Sequence, residues 1–194
     1  MNTTMLLDKT KHHPVMLDQV LSIISPQHGG IFVDCTFGGG GYSEGILKYP
    51  KTKVFAIDRD ESTKVYANSL EKRFPERFSF SLDKFSNLKK IFNLNSNSKV
   101  RGIIFDLGLS SLQLADEKRG FSFNSKRSLS MEMGLNEYSA FEVVNNLEKK
   151  KLFNLIKILG EEKEAKAIVN QIVKYREKKT INTSEEFASI INKA

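Results

Sequence analysis

The chain has no tryptophan and one cysteine, Cys35, in 194 residues. A single thiol cannot close an intrachain disulfide, so burial and hydrogen bonding must hold the fold. A reducing, cytoplasmic setting is the expectation. Long apolar runs are also missing. The opening "MNTTMLLDKTKHHP" reads as neither a signal peptide nor a membrane span, and no later stretch is a transmembrane candidate. Histidine is scarce: His12 and His13 are adjacent, and His28 falls in a turn. With no cysteine or carboxylate cluster beside them, no metal site is expected. Acids are outnumbered, 23 against 30 lysines and arginines, which leaves a formal charge of +7. A basic balance favours a polyanionic partner, though weakly.

An apolar fraction of 40% is enough for a real core. The length suits one large domain, or one domain with a small second one. "VMLDQVLSII" has helical spacing and stops before Pro26. Short apolar strands follow at "IFVDC", "VFAID", "FSFSL" and "VRGIIFD", the last running from Val100 to Asp106. Between them lie helical stretches at "YSEGILKY", "ESTKVYANSLEKRF" and "FSNLKKIFNL". Strands that are apolar throughout and alternate with helices predict an α/β fold, its parallel sheet covered on both faces. The pattern changes near residue 112. Residues 113–138 lack periodicity but carry Phe121, Phe123, Met131 and Met133, which predicts an ordered, functional loop. Residues 139–194 read as helices only: "SAFEVVNNLEKKKLFNLIKIL", "EEKEAKAIVNQIVKYREKK", and "SEEFASIINKA" with Thr183 or Ser184 as N-cap.

Four consecutive glycines, Gly38 to Gly41, follow the first strand in "FVDCTFGGGGYSEGIL". A glycine-rich loop there lies at the carboxyl edge of the sheet, where such folds bind ligands. A triphosphate loop would end in Gly-Lys-Ser/Thr, but Gly41 is followed by Tyr42-Ser43. The dinucleotide pattern G-x-G-x-x-G also fails, since counting from Gly38 or Gly39 puts Ser43 or Glu44 at its third glycine. That disfavours a nucleotide-dependent oxidoreductase. S-adenosylmethionine remains. Its loop follows an acid at the strand end, Asp34, with Thr36, Gly38 and Gly40 at alternate positions. Asp58 then ends the second strand, 17 residues beyond Gly41, where a carboxylate can accept two ribose hydroxyls. A plain glycine turn beside a solvated acid is the competing explanation. The fourth strand ends in Asp106. In methyltransferases acting on exocyclic amines this strand end faces the methyl group and the target nitrogen. Position alone allows Asp106 either that role or an N-cap for the segment after it.

Taken in order, "HHPVML", "DCTFGGGGYS", "AIDRD", "FDLGLSSLQL", "RGFSF" and "GEEKEAKAI" cover nearly the whole chain. The set resembles the bacterial 16S ribosomal RNA cytosine-N4 methyltransferases, the MraW or small-subunit methyltransferase H family. The resemblance implies a Rossmann-like class I methyltransferase domain with a small helical insertion domain for substrate recognition. It implies S-adenosylmethionine as donor and a cytosine of the decoding region of 16S rRNA, in the small ribosomal subunit, as acceptor. Cofactor contacts then fall on Gly40, Gly41, Tyr42, Asp58, Phe85, Asp106 and Gln113, with Asp106 also the candidate catalytic residue. Phe85 would pack near the adenine; a core aromatic at a helix start is its other reading.

Three departures accompany the resemblance. Tyr42 stands where the family usually has histidine. After "RGFSF" the family reads approximately D-G-P-L-D-M-R-M, whereas this chain has "KRSLSMEM": Lys126 and Ser130 replace acids, and Glu132 replaces arginine. The family also continues into closing elements of the sheet, so the 194 residues are expected to be a fragment or a short relative. Two rivals remain: a catalytically weak relative that only binds cofactor or RNA, and the nucleotide-dependent oxidoreductase disfavoured above. The basic run "KYREKK", Lys174 to Lys179, reads either as an RNA-phosphate contact or as a solvated helix end.

Overall fold

The computed structural model describes residues 14–91, 99–123, 125–136 and 138–194. They fall into two compact units, Met1–Ser111 and Leu112–Ala194. His12 and His13 lie outside the described residues.

The first unit is built on four strands: β1 (Gly30–Asp34), β2 (Thr52–Asp58), β3 (Phe78–Leu82) and β4 (Val100–Ile104). All pairings are parallel and the order is β3-β2-β1-β4. The chain therefore winds outward from β1 to β3, then returns to the other side of β1. That reversal puts a crevice at the carboxyl ends of β1 and β4, where open α/β sheets take their ligands. Helices α1 (Leu17–Ile24), α2 (Gly41–Leu47), α3 (Lys64–Arg73) and α4 (Leu88–Ile91) make up the rest.

Side chains alternate across the pleat. Phe32, Val54, Ala56, Phe78 and Ile104 pack with Ile46 and Leu47 of α2 and Ala67 and Leu70 of α3. Val33, Cys35 and Ile57 point to the other face, where Leu88 and Ile91 of α4 join them. Cover on this second face is thinner than the sequence suggests: Ile103 on β4 is 47% exposed. β4 also stops two residues before Asp106.

The second unit packs four helices, α6 (Ala140–Asn146), α7 (Lys149–Leu159), α8 (Ala165–Arg176) and α9 (Ser184–Ile191), around Leu129, Val144, Leu152, Val169, Ile172 and Ile181. A short α5 (Ser111–Ala115) precedes them. The stretch read as one helix from Ser139 is two. A capping box between Ser139 and Glu142 starts α6, and Leu147 leaves it in extended conformation. The Arg176 guanidinium then donates to the Val144 and Leu147 carbonyls at 2.8 and 2.7 Å, satisfying groups that a continuous helix would have paired. Thr183, one of the two expected caps, accepts from the Glu186 N–H at 3.1 Å. The aperiodic segment is pinned within this unit. Leu129 is buried and its N–H donates to the Asn182 carbonyl, while the Ser184 hydroxyl donates to the Gly120 carbonyl at 2.7 Å.

Candidate cofactor and active site

The site grows from the end of β1. Asp34 is fully buried. Its Oδ2 accepts from the Ser43 hydroxyl at 2.7 Å, and its Oδ1 from the Thr36 N–H at 3.3 Å. The acid thus spans the glycine loop and ties its start to the first turn of α2. Burial pushes the Asp34 carboxyl up to about 6, against the opposing pull of these hydrogen bonds. Thr36 reaches the other way: its hydroxyl accepts from the Asp106 N–H at 2.8 Å. Loop and β4 exit are therefore fixed to each other.

Asp58, half-buried at the end of β2, holds the loop from the second side. Its Oδ2 accepts from the Gly38 N–H at 2.7 Å and its Oδ1 from the Asp60 N–H at 2.9 Å. Burial raises its pKa, and the backbone donors of Gly38, Asp60 and Arg59 oppose that. A carboxylate offers about four lone-pair directions. Gly38, Asp60 and Arg59 take three of them, which leaves capacity for one further donor.

The glycines divide into two kinds. Gly40 has φ +82°, and a Cβ there would meet the Phe37 ring at 2.8 Å and Leu70 at 3.0 Å. A Cβ on Gly41 would meet Pro14 at 2.2 Å. These two are demanded by the protein's own packing, not by a ligand. Gly39 differs: it is exposed, and a Cβ there would meet nothing within 4 Å. The bare backbone at Gly39 faces open space, as a loop crossed closely by a ligand requires.

Tyr42 is buried, and its hydroxyl donates to the Val15 carbonyl at 2.5 Å. Burial raises the phenol, then the nearby carboxylates of Asp106 and Asp34. Its polar tip is thus engaged by the protein. Asp106 is exposed beyond β4. The next helix begins only at Ser111, which removes the capping alternative. Phe85 follows β3 and is 42% exposed, not a core aromatic. Its ring meets Phe105 edge-on, centroids 5.4 Å apart and planes at 82°.

Strand ends therefore bring together Gly40, Gly41, Tyr42, Asp58, Phe85 and Asp106 along one edge of the first unit. Gln113 belongs to the second unit, where it is buried on α5. Thr36, Ser43 and Phe105 were missed as partners. Ser43 was legible as the hydroxyl one turn into the helix after the glycines; Phe105 was masked by its place in an apolar strand. Among the described residues, no three histidine, cysteine or acidic side chains gather as a metal site, and no helix is long and apolar enough to cross a membrane.

Residues 9–194 match the sequence model of the MraW methylase family. The chain belongs to that family. Its sheet and flanking helices are those of a Rossmann-like methyltransferase. Similar MraW-family relatives include the ribosomal RNA small subunit methyltransferase H of a Wolbachia from Drosophila simulans, 44% identical over 93% of this chain and 62% of that one. The enzyme of the same name from Ehrlichia ruminantium (strain Welgevonden) is 44% identical over 93% and 60%, and that from Rhodospirillum rubrum 37% over 94% and 56%. The chain thus spans about three fifths of the length of these relatives. A solved rRNA methylase from Streptococcus thermophilus aligns at 21% identity and TM-score 0.38, over 54% of this chain and 61% of that one.

The residues read from the sequence as departures from the family pattern interact locally. The Ser130 hydroxyl donates to the Glu132 carboxylate, and the Arg119 guanidinium to the Glu132 carbonyl. Lys126 is exposed.

Proposed function

We propose that this chain belongs to an S-adenosylmethionine-dependent methyltransferase that modifies N4 of a cytosine in the decoding region of 16S rRNA. The observation that carries the cofactor is the open backbone at Gly39 beside the Asp58 carboxylate, which has acceptor capacity left after holding the Gly38, Asp60 and Arg59 backbone. Asp58 would take a ribose hydroxyl. Phe85 and Phe105 would flank the adenine, and the Gly38–Gly41 loop would accommodate the amino-acid end. The bound cofactor supplies an electrophilic methyl group. Asp106, anchored through Thr36, would accept a hydrogen of the exocyclic amine and fix its direction. A cytosine amine is a weak nucleophile because its lone pair is delocalised into the ring. Positioning, with a carboxylate to receive the released proton, is what the chain has to provide.

The test has two readings. Calorimetry with S-adenosylmethionine and with NAD should give binding only to the first. Transfer of labelled methyl to small-subunit particles, followed by nucleoside analysis, should yield N4-methylcytidine. Binding without transfer would leave a cofactor-binding module, the reading favoured by the Ser130–Glu132 pair in place of the family's charges. Absence of binding would overturn the proposal.

A further inference from the structure

Half of the cationic side chains in the basic run near the end of the chain are spoken for. The Tyr175 hydroxyl donates to Glu186 at 2.6 Å, Arg176 holds the end of α6, and Lys179 pairs with Glu186 at 2.9 Å. Positive charge without structural partners also lies elsewhere in the second unit. A groove of about 460 Å³ runs between the start of α7 and the middle of α8. Its floor is buried Val169 and half-buried Phe153; its rim is Lys149, Lys150, Lys166, Asn170 and one acid, Glu148. Among the described residues, none of the three lysines forms an ion pair.

One feature of this groove works against stability, and another leaves an aromatic ring at its wall. The first turn of α7 carries Lys149, Lys150 and Lys151 and no acid, so cations crowd the positive end of the helix dipole. The Phe153 ring lines an open groove, with the Lys157 ammonium 5.4 Å from its centroid. An aromatic face among ammonium groups, beside one side-chain amide, is the chemistry that holds unpaired nucleotides: stacking for a base, cations for the backbone, an amide for a base edge. The volume lies within the range of about 300–1,000 Å³ that takes small ligands.

We propose that this groove docks a single-stranded segment of RNA, Phe153 stacking on a base while Lys149, Lys150 and Lys166 meet phosphates. It rests on the RNA-methylating function proposed for the chain, but none of its residues belongs to the cofactor site. The probe is a fluorescein-labelled single-stranded RNA of mixed sequence, about 12 nucleotides long, titrated into the whole chain at several salt concentrations. Each neutralised phosphate contributes about 0.7 to the log–log salt slope for a single strand. The triple variant Lys149→Ala, Lys150→Ala, Lys166→Ala should therefore lose about 2 from that slope and at least tenfold in affinity. Phe153→Leu keeps the apolar floor; it should lose roughly tenfold with the slope unchanged. Circular dichroism checks folding, and the lysines are exposed, so the triple variant stands if Phe153→Leu unfolds. Unchanged affinity and slope in the triple variant overturn the proposal. So does a wild-type chain that ignores the RNA, or displacement of the RNA by poly-glutamate at equal charge, which would mark an acidic protein partner. In each case the S-adenosylmethionine titration reports separately on the enzyme reading.

Discussion

At the scale of the residue, two adjacent glycines should respond in opposite ways. Gly40→Ala forces a Cβ into Phe37 at φ +82°. Left-handed strain and overpacking together should cost about 2–4 kcal/mol in urea unfolding. Gly39→Ala has free space and should leave stability within about 1 kcal/mol. It should still weaken S-adenosylmethionine by roughly tenfold, about 1.4 kcal/mol. Intact affinity in a folded Gly39→Ala variant would place the ligand elsewhere. Asp34 gives a pH signature. Its pKa is raised from 3.8 to about 6, so the folded state binds the extra proton between those values. Stability contributed by this group is full below about 3.8 and declines as pH rises to about 6. Asp34→Asn keeps the shape and should flatten that part of the profile. An undiminished slope in a denaturant series from pH 4 to 7 would remove Asp34 as its source. Asp58→Ala needs a stability control, because the acid supports three backbone donors as well as any ligand.

Elements show where local sequence is decisive and where it is not. Strand and helix alternation was readable from apolar runs, and so was the Thr183 cap. The split between α6 and α7 was not, because apolar residues keep helical spacing through Leu147. What ends α6 is Arg176, a residue 29 positions away from Leu147. Arg176→Lys cannot reach both carbonyls and should cost about 2 kcal/mol of the second unit's stability in thermal or chemical unfolding. The start of α9 carries its own acid dependence. The Tyr175 hydroxyl, the Asn182 N–H and Lys179 lower Glu186 from 4.5 to about 2. Its contribution is complete above about 4.5 and is lost as pH falls toward 2. In Glu186→Gln, exchange of second-unit amides should lose that acid dependence. An unchanged acid limb would assign it to other carboxylates.

At the scale of the whole molecule, the strand order places most of the candidate site. Asp34, the glycines, Asp58 and Asp106 are spread over 73 sequence positions, and all lie at or just past strand ends. A parallel sheet sends every such end to one edge, so the motifs were legible as a set even though no local signal joins them. One property of the glycine loop was hidden in the sequence. Sequence shows where a Cβ is absent, but not whether ligand or protein excludes it. Only the positions of Phe37 and Pro14 separate Gly40 and Gly41 from Gly39. The thin cover over Ile103 was equally hidden, since an apolar strand residue reads the same whether its face is filled or bare.

Cys35 turns the sheet into its own stopwatch. The thiol is 2% exposed, and burial beside Asp34 pushes it up to about 11. At pH 8 only about one molecule in a thousand holds the thiolate that attacks a disulfide reagent. Labelling must therefore wait for the strands around β1 to part, and with one cysteine in the chain every modified molecule records that single event. Absorbance of the released thiol then counts openings at the same strand that launches the glycine loop. A ligand seated on the loop should slow the count in proportion to its occupancy. Its grip could be timed in this way without a dye, a tag or turnover.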